Sequence, residues 1–469
     1  MKIVIVGGGT VGSVAAELLS RFHDVLVIDR DETTADDLKS RLNVAVLCEE
    51  GTNPRIMRYA IDQHGADVVL STLSSDPENL FVCMMTKIID PSIRTIATVD
   101  DPDFVKSLER SGYLGIENMI SPGLVTAEMM YQLCVLENAV EYESVKQVGA
   151  CVAVFLIPPR NRVVGGIVME LPVPDGCTVF ALERDGYIET APETMEIHPG
   201  DRIYVFGSED AIQGFDVMMG SEDVGREFCV LGGTIVGANV AKMLSDDPVK
   251  RFVKIIDKDP KRCRELSREL DGVLIINRDY LDPDVQSEEN IFKSDVLVST
   301  SEKDDTNLLV CMSAKRHSSR KVITRFFMKE YQDIFRYTDL QTIMGYERVI
   351  SNEVTRCLLP EETAIARMQG SDGVLFIHRV DDLSKLRGRF VGDIQVPDGL
   401  RIVALRRGDE LIYPRLDTRV LKDDEAVVFS NGNKESEIAR ALGRRTEPGL
   451  RGWTRWSSRR GASCGRARP

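Results

Sequence analysis

The sequence predicts an α/β protein with two doubly wound parallel sheets, each followed by a small α+β domain. Short apolar strands alternate with helical segments in the first part of the chain, which is typical of a parallel sheet covered by helices on both faces. A glycine-rich turn, GGGTVG, separates the first strand from the first helix. Most of the chain then repeats in the same order, so the same architecture is expected twice.

Hydrophobic periodicity assigns the elements of the first sheet in order. Residues 2–6 form an unbroken apolar run that predicts a buried strand, and residues 12–22 carry apolar side chains at helical spacing. Further strands are predicted at 25–28, 44–47, 68–70 and 93–99, with a helix at 79–89. The small domain is predicted to be antiparallel, because turn residues and strand formers crowd its sequence.

The repeat defines the domain organisation. Segments 5–12, 27–31 and 66–72 recur as 230–237, 255–259 and 294–300, and the VPDG segment 173–176 of the small domain recurs as 396–399. Ordered matches at nearly constant spacing indicate a duplicated pair of domains. The predicted boundaries are 1–135 and 136–222 for the first pair, 226–365 and 366–443 for the second, and 444–469 for a tail.

Composition excludes several classes of function. Lys and Arg number 59 against 74 Asp and Glu, a net charge of −15, which argues against a broad nucleic-acid surface. Ten scattered cysteines without a CxxC pair predict free, mostly buried thiols, and five distant histidines predict no metal site. No apolar run is long enough to span a bilayer, and no signal peptide is evident, so we expect a soluble cytoplasmic protein.

The C-terminal tail differs in composition from the rest of the chain. Residues 444–469 hold eight arginines and one acid, and both tryptophans of the chain. We predict that this basic segment is disordered. It is either an arm that touches anionic lipid or nucleic acid, or an extension without a role.

The glycine motif predicts a Rossmann-type dinucleotide site. Gly7, Gly9 and Gly12 lie between a strand and a helix, and Asp29 ends the next strand, where an acid accepts the ribose hydroxyls of an adenine nucleotide. An acid there repels a 2′-phosphate, so NAD is preferred over NADP. The alternative is a fold whose glycines serve packing only.

The second copy of the motif is degenerate. Gly232, Gly237 and Asp257 remain, but Thr234 replaces the middle glycine, and its Cβ would crowd the approach of a phosphate. Either this unit binds a nucleotide with different affinity, or it is a pseudo-site. No Ser/His/Asp, Cys/His or paired-carboxylate set repeats between the small domains, so we predict a nucleotide sensor and not an enzyme.

A wider set of residues carries a family resemblance. The segments Ala66-Asp67, Thr72, Asp76, Asn79-Leu80 and GIENMISP at 115–122 resemble the RCK (KTN) domain, and the small units resemble the RCK C-terminal domain. The tandem order resembles the TrkA family. The resemblance implies a cytoplasmic homo-oligomer, a dimer or a tetrameric ring, attached at the inner face of the membrane to a potassium-translocating subunit of the Trk or Ktr type. It implies NAD(H) binding, with ATP or ADP in some members.

The resemblance also implies ligand residues in each half. In the first half they are Gly7, Gly8, Gly9, Thr10, Val11, Gly12, Asp29, Glu50 (with Gly51 or Thr52 as alternatives, because the spacing is off by one), Thr72, Leu73 and Thr98. In the second half they are Gly232, Gly233, Thr234, Ile235, Val236, Asp257, Asp279, Thr300, Ser301 and Arg325. Thr98 replaces a family arginine, which Arg325 keeps; a salt bridge is the alternative role for Arg325.

The same resemblance predicts a crossover helix that exchanges between neighbouring units. Glu117, Asn118 and Ser121 precede it in the first half, as Arg348 and Ser351 mark it in the second. Its apolar face, within 125–136, is either a dimer surface or plain core. Two other functions compete with a regulatory subunit: an NAD-dependent oxidoreductase with an unrecognised substrate site, and a DNA-binding sensor.

Overall fold

The computed structural model describes residues 1–102, 104, 105, 107, 116–221, 226–317, 320–328, 331, 332, 334, 335, 338, 340, 342–358, 364–369, 373–432 and 435–443. The predicted tail, with its cysteine, and Gly115 of the family motif lie outside these residues. Among the described helices, none is long and apolar enough to cross a membrane.

The first unit is a six-stranded parallel sheet in the order β3-β2-β1-β4-β5-β6. Its strands are β1 (Lys2–Val6), β2 (Asp24–Asp29), β3 (Ala45–Cys48), β4 (Val68–Ser71), β5 (Arg94–Thr98) and β6 (Asn118–Ile120). The helices are α1 (Thr10–Leu19), α2 (Glu32–Arg41), α3 (Pro54–His64), α4 (Asp76–Ile89) and α5 (Pro122–Val135). The central strand β1 is buried from Ile3 to Val6, because helices cover both faces of the sheet.

The second unit repeats this sheet in the order β14-β13-β12-β15-β16-β17. Its strands are β12 (Glu227–Leu231), β13 (Phe252–Asp257), β14 (Val273–Asn277), β15 (Val296–Ser299), β16 (Lys321–Phe326) and β17 (Thr342–Gly345). The helices are α7 (Ile235–Asp246), α8 (Pro260–Glu269), α9 (Pro283–Glu288), α10 (Asp304–Arg316) and α11 (Tyr346–Leu358). Two Rossmann-type sheets were predicted, and both are confirmed.

Each parallel sheet is followed by a five-stranded antiparallel sheet. The first has the order β10-β9-β11-β8-β7 and the second β18-β19-β22-β20-β21. The first comprises β7 (Ala139–Val145), β8 (Ala150–Leu156), β9 (Cys177–Arg184), β10 (Tyr187–Glu189), β11 (Arg202–Gly207) and the helix α6 (Glu209–Met218). The second comprises β18 (Ala364–Arg367), β19 (Gly373–Arg379), β20 (Leu400–Arg407), β21 (Glu410–Ile412), β22 (Glu425–Asn431) and α12 (Glu435–Leu442). The predicted alternation of parallel and antiparallel units is confirmed.

The two antiparallel sheets pack on each other through aromatic side chains. The ring centroids of Phe180 and Phe429 lie 5.1 Å apart, and Tyr204 lies 5.9 Å from Phe180. All three side chains are fully buried in one apolar cluster contributed by both halves. The small domains therefore join the two halves of the chain through a shared core.

The predicted crossover helices exchange between the two halves of one chain. Helix α5 of the first half packs on α7 of the second, and helix α11 of the second half packs on α1 of the first. Each contact is apolar: Met130 and Leu133 share a core with Val240, and Ala15 shares one with Val354. The apolar face of residues 125–136 thus lies in an interface between units of the same polypeptide.

Local differences from the predicted elements are small. Helix α1 begins at Thr10 and ends at Leu19, whereas the sequence predicted 12–22, because Gly9 caps its first turn and the chain turns after Ser20. Strand β3 ends at Cys48, which pairs with Asp29 of β2. The nine described cysteines are free; seven are buried, Cys48 is exposed and Cys357 is partly exposed.

Candidate nucleotide-binding clefts

The first cleft lies at the carboxyl ends of β1 and β4, where the strand order reverses direction. Gly7 has a φ of +103°, which favours glycine. A Cβ on Gly12 would lie 1.9 Å from the carbonyl oxygen of Gly7, so helix and strand approach too closely for any side chain. Gly9 differs from both, because a Cβ there would meet nothing within 4 Å.

The N-terminus of α1 is open. Gly9 is its cap residue and supplies no side-chain hydrogen bond, and the first turn contains no acidic residue. Gly9 and Thr10 are exposed, whereas Gly7 and Gly8 are buried and Val11 is partly buried. The first backbone N–H groups of this helix therefore face open space, which is the geometry that binds a phosphate.

Asp29 holds the glycine loop and lines the cleft. Its Oδ2 accepts a hydrogen bond from the Gly8 amide at 2.6 Å, and its Oδ1 accepts one from the Asp31 amide at 2.8 Å. The carboxylate is partly exposed, so it retains room for ribose hydroxyl groups.

Strand register places Glu50 beside this carboxylate. Cys48 pairs with Asp29, and Asn277 pairs with Asp257, so Glu50 and Asp279 occupy equivalent positions two residues beyond. Glu50 accepts hydrogen bonds from the Thr52 hydroxyl at 3.1 Å and from Arg30 at 3.3 Å. Burial raises the pKa of Glu50, but the hydrogen bonds from the Thr52 amide, Arg30 and the Thr52 hydroxyl, with the charge of Arg30, outweigh it and leave the pKa lowered.

A threonine and an asparagine fix the loop after β4. The Thr72 hydroxyl donates to the Gly7 carbonyl at 2.7 Å. The Asn79 amide accepts from the Leu73 N–H at 2.7 Å and donates to the Thr98 carbonyl at 2.9 Å. In the second half the Asn307 amide donates to the Ser301 carbonyl at 2.8 Å and to the Arg325 carbonyl at 3.1 Å. From the sequence, Asn79 carried part of the family resemblance but no predicted positioning role; its recurrence as Asn307 after the second threonine loop was the available signal of this role.

Thr98 turns away from the cleft. Its hydroxyl donates to the Ser71 carbonyl at 2.8 Å inside the sheet, and the side chain is buried. The family arginine is thus replaced by a side chain that completes the sheet and presents no charge to a ligand.

The second cleft has the same backbone. Gly232 has a φ of +96°, and the Asp257 Oδ2 accepts from the Gly233 amide at 2.6 Å. The Thr300 hydroxyl donates to the Gly232 carbonyl at 2.9 Å. Of the other residues predicted for this cleft, Ile235 is exposed and Val236 is buried. The Asp279 side chain accepts a hydrogen bond from the Leu281 amide at 3.0 Å, and the Ser301 hydroxyl accepts one from the Lys303 amide at 3.2 Å.

Arg325 is buried at the edge of the second cleft. One of its Nη atoms donates to the Thr300 carbonyl at 2.9 Å, and its guanidinium lies 4.7 Å from the Phe327 ring and 5.6 Å from the Tyr346 ring. Its Nε has no hydrogen-bond partner in the described structure. Burial lowers its pKa, opposed by the charges of Tyr346 and nearby acids. A salt bridge was the alternative role for Arg325, and none of the ion pairs among the described residues includes it.

Metal ligation has no counterpart in this arrangement. Within the residues that the structure describes, no group of three or more His, Cys, Asp or Glu side chains is placed to hold an ion.

Family comparisons match the alternating architecture. The TrkA-N domain matches residues 3–122 and 228–351, and the TrkA-C domain matches 152–220 and 375–443. The chain belongs to the TrkA family. The TrkA-N matches each contain one of the two glycine loops, so the duplication seen in the sequence is a duplication of this domain pair.

Individual relatives extend over nearly the whole chain. The Trk system potassium uptake protein TrkA homolog 1 of Methanosarcina mazei is 28% identical over 447 residues, covering 93% of this chain and 99% of that protein. The Trk system potassium uptake protein TrkA of Vibrio alginolyticus is 24% identical over 455 residues, covering 94% of this chain and 98% of that protein.

A solved structure shares the TrkA-family fold. The GsuK RCK domain superposes with a TM-score of 0.64 at 15% identity, covering 94% of each chain. The GsuK channel bound to NAD superposes with a TM-score of 0.62 at 15% identity, covering 93% of this chain and 77% of that one. At this identity the likeness concerns the fold.

Proposed function

We propose that this chain is the nucleotide-sensing regulatory subunit of a Trk-type potassium uptake system. It gates a separate potassium-translocating membrane subunit through conformational change that depends on NAD(H). The proposal is supported by membership of the TrkA family, by full-length relatives named for potassium uptake, and by the cleft geometry of the first unit. It places the chain in the cytoplasm, at the inner face of the membrane through its partner.

The open cradle at Gly9 is the observation that carries nucleotide binding. A glycine is unnecessary there for the fold, since its φ is −63° and a Cβ would meet no atom within 4 Å. A ligand phosphate on the N–H groups of α1 explains the residue. Asp29, a partly exposed carboxylate beside the glycine loop, suits the two hydroxyls of an unphosphorylated ribose, so NAD(H) is favoured over NADP(H).

The helix that carries the phosphate site also contacts the other half. Helix α1 packs on α11 through Ala15, Leu19 and Val354, and α11 leads into the second small domain. A ligand that binds one arrangement of α1 more tightly than another would therefore bias the packing of the two halves. ATP or ADP would compete at the same phosphate cradle. The absence of a cation at Thr98 leaves less stabilisation for a triphosphate there.

No enzymatic step is proposed. The predicted ligand residues of the first cleft are glycines, hydroxyl residues, carboxylates and apolar residues, and none is a histidine or lysine suited to proton transfer at a nicotinamide. The competing oxidoreductase function thus has no observation in its favour.

Gly9→Ala and Gly12→Ala form a matched test. We expect Gly9→Ala to keep the wild-type melting temperature and to weaken NADH binding at least about tenfold, because its methyl occupies the phosphate position. Gly12→Ala should lower the melting temperature as well, since its methyl meets the Gly7 carbonyl. The measurements are calorimetric titration with NADH and thermal melting, followed by potassium uptake in cells that carry each variant. Unchanged NADH affinity in Gly9→Ala would contradict the proposal.

A further inference from the structure

The two clefts differ systematically at equivalent positions. Strand register and the glycine loops align four small residues of the first cleft with larger ones of the second. The pairs are Gly9 with Thr234, Thr34 with Arg262, Gly51 with Tyr280, and Thr98 with Arg325. The backbone is the same in both units, so the difference lies in what the side chains place inside the cleft.

Thr234 occupies the phosphate position of the second cleft. Its hydroxyl accepts from the Gly237 amide at 3.2 Å, and so caps the helix that would otherwise bind a phosphate. The same hydroxyl donates to the Thr300 Oγ1 at 3.1 Å across the cleft. In the first unit the matching helix has no side-chain cap. A pyrophosphate would have to displace this threonine before it could reach the helix.

Arg262 covers the glycine loop. Its Nε donates to the Gly233 carbonyl at 2.6 Å, and its guanidinium pairs with Glu265 at 3.1 Å and with Glu269 at 3.7 Å. Thr34, its counterpart, presents only a methyl group near Gly8. The arginine side chain is thus held over the loop by its own bonds, where the ribose of a dinucleotide would lie.

Tyr280 places a bulky side chain at the end of β14. It is partly buried and packs against the apolar cluster that contains Leu231. Burial raises the pKa of its phenol, and a hydrogen bond with the Ser301 hydroxyl opposes that shift. Its counterpart Gly51 has no side chain, and a Cβ there would meet Val6. The second cleft therefore has an aromatic ring at a strand end where the first cleft has none.

We propose that the second cleft is closed to dinucleotides by its own side chains, so that each chain binds one NAD(H), in the first unit. The inference rests on the proposed function for the first cleft. The second unit then acts as a fixed Rossmann scaffold on which helix α5 of the first unit packs. Arg325 belongs to this scaffold, with its guanidinium held by the Thr300 carbonyl and the Phe327 ring.

The test is calorimetric titration of the full chain with NADH, NADPH and ADP. We expect a stoichiometry of about one NADH per chain, at least a tenfold loss of affinity in Asp29→Ala, and an affinity within about twofold of wild type in Asp257→Ala. A stoichiometry of about two, or binding of any of the three probes that Asp257→Ala removes, would overturn the closed cleft and leave the first site intact.

A variant that introduces small residues into the second cleft tests the proposal by a gain of binding instead of a loss. Thr234→Gly/Arg262→Thr/Tyr280→Ala is expected to take up a second NADH per chain, and thermal melting verifies that it is folded; glycine is an acceptable helix cap. If the folded triple variant gains no site, these side chains are not what closes the cleft. If wild type binds nothing but the triple variant does, the first-cleft proposal fails and the closure stands. If neither binds, both fail.

Discussion

Asp29 holds the glycine loop with the same carboxylate that we propose for ligand recognition. It accepts hydrogen bonds from the Gly8 and Asp31 amides, so its removal would loosen the glycine loop as well as the proposed ligand contact. Asp29→Asn separates the roles, because an amide oxygen can still accept from Gly8 while the negative charge is lost. The preference for NADH over NADPH is the ratio of the two dissociation constants, and the variant should reduce this ratio by a factor of about ten or more. An unchanged ratio would show that the charge of Asp29 does not face the 2′ position.

Lys321 is a partly buried cation that joins the two halves. Its Nζ donates to the carbonyls of Leu136 and Ala139 at 2.6 Å each, and to that of Glu137 at 3.3 Å. These residues connect the crossover helix α5 to the first small domain. Burial lowers the pKa of Lys321 from 10.5 to about 8, and the charges of Asp216, Cys134 and Glu137 oppose that shift.

The lysine makes stability depend on pH with a definite sign. Between about pH 8 and pH 10.5 the unfolded chain holds this proton and the folded chain has released it. The wild type should therefore gain stability relative to Lys321→Met as the pH rises from 7 to 10, by up to about 3 kcal/mol. Denaturant unfolding of both proteins at these pH values measures the difference. The exposed Lys39→Met serves as control and should show no such trend; a constant difference for Lys321 would mean that its ammonium is well hydrated.

At the scale of elements, α4 and α10 share an exposed apolar stripe. Phe81 and Met84 on α4 correspond to Leu309 and Met312 on α10, and all four side chains are exposed. Ile88 extends the stripe on α4. A feature present in both copies of a duplicated unit is more than a scattered surface residue, and contiguous apolar surface marks an interaction site. We predict that these helices form a contact between two copies of the chain.

Ile88→Asp tests that contact against an equally exposed residue. Ile88 is 79% exposed and Leu416, in the second small domain, is 78% exposed, so the same substitution costs either site little folding stability. We expect Ile88→Asp to lower the molar mass in solution toward that of a single chain, whereas Leu416→Asp keeps the wild-type mass. Light scattering after size-exclusion chromatography gives both masses. Equal masses for the two variants would show that α4 is not part of the contact between copies.

Across the whole molecule, a buried ionic cluster ties the first half to the second. Glu143 on β7 accepts from Arg348 at 2.7 Å, from Asn352 at 3.1 Å and from Arg356 at 2.6 Å, all on α11. Arg348 also lies 3.5 Å from Glu141. Glu143 is buried, as are most of both guanidinium groups, so the bonds compensate one another's desolvation.

Removal of the shared carboxylate should therefore be costly. Glu143→Ala leaves two arginines buried with fewer partners, and we expect a loss of about 3–5 kcal/mol in the free energy of unfolding. Glu17→Ala, which breaks the exposed pair with Arg21, should cost no more than about 0.5 kcal/mol. Urea unfolding measures both variants. Similar small losses would show that the cluster adds no net cohesion between the halves.

The sequence by itself determined the class of the fold and its duplication. Buried parallel strands are continuous apolar runs, and helices have their own period, so both are visible in local patterns; β1 was predicted residue for residue. The glycine loop and its acid were equally local. The positioning role of Asn79 was missed, because its bonds to Leu73 and Thr98 depend on how two loops fold together.

Only the tertiary structure decided how the halves engage. The exchange of α5 and α11, the Lys321 contacts and the Glu143 cluster join residues far apart in the chain, and periodicity carries no information about which surfaces will meet. The same holds for the second cleft. Thr234 was visible as a departure from the motif, but the placement of Arg262 over the loop and of Tyr280 against the sheet core follows from packing between strand ends.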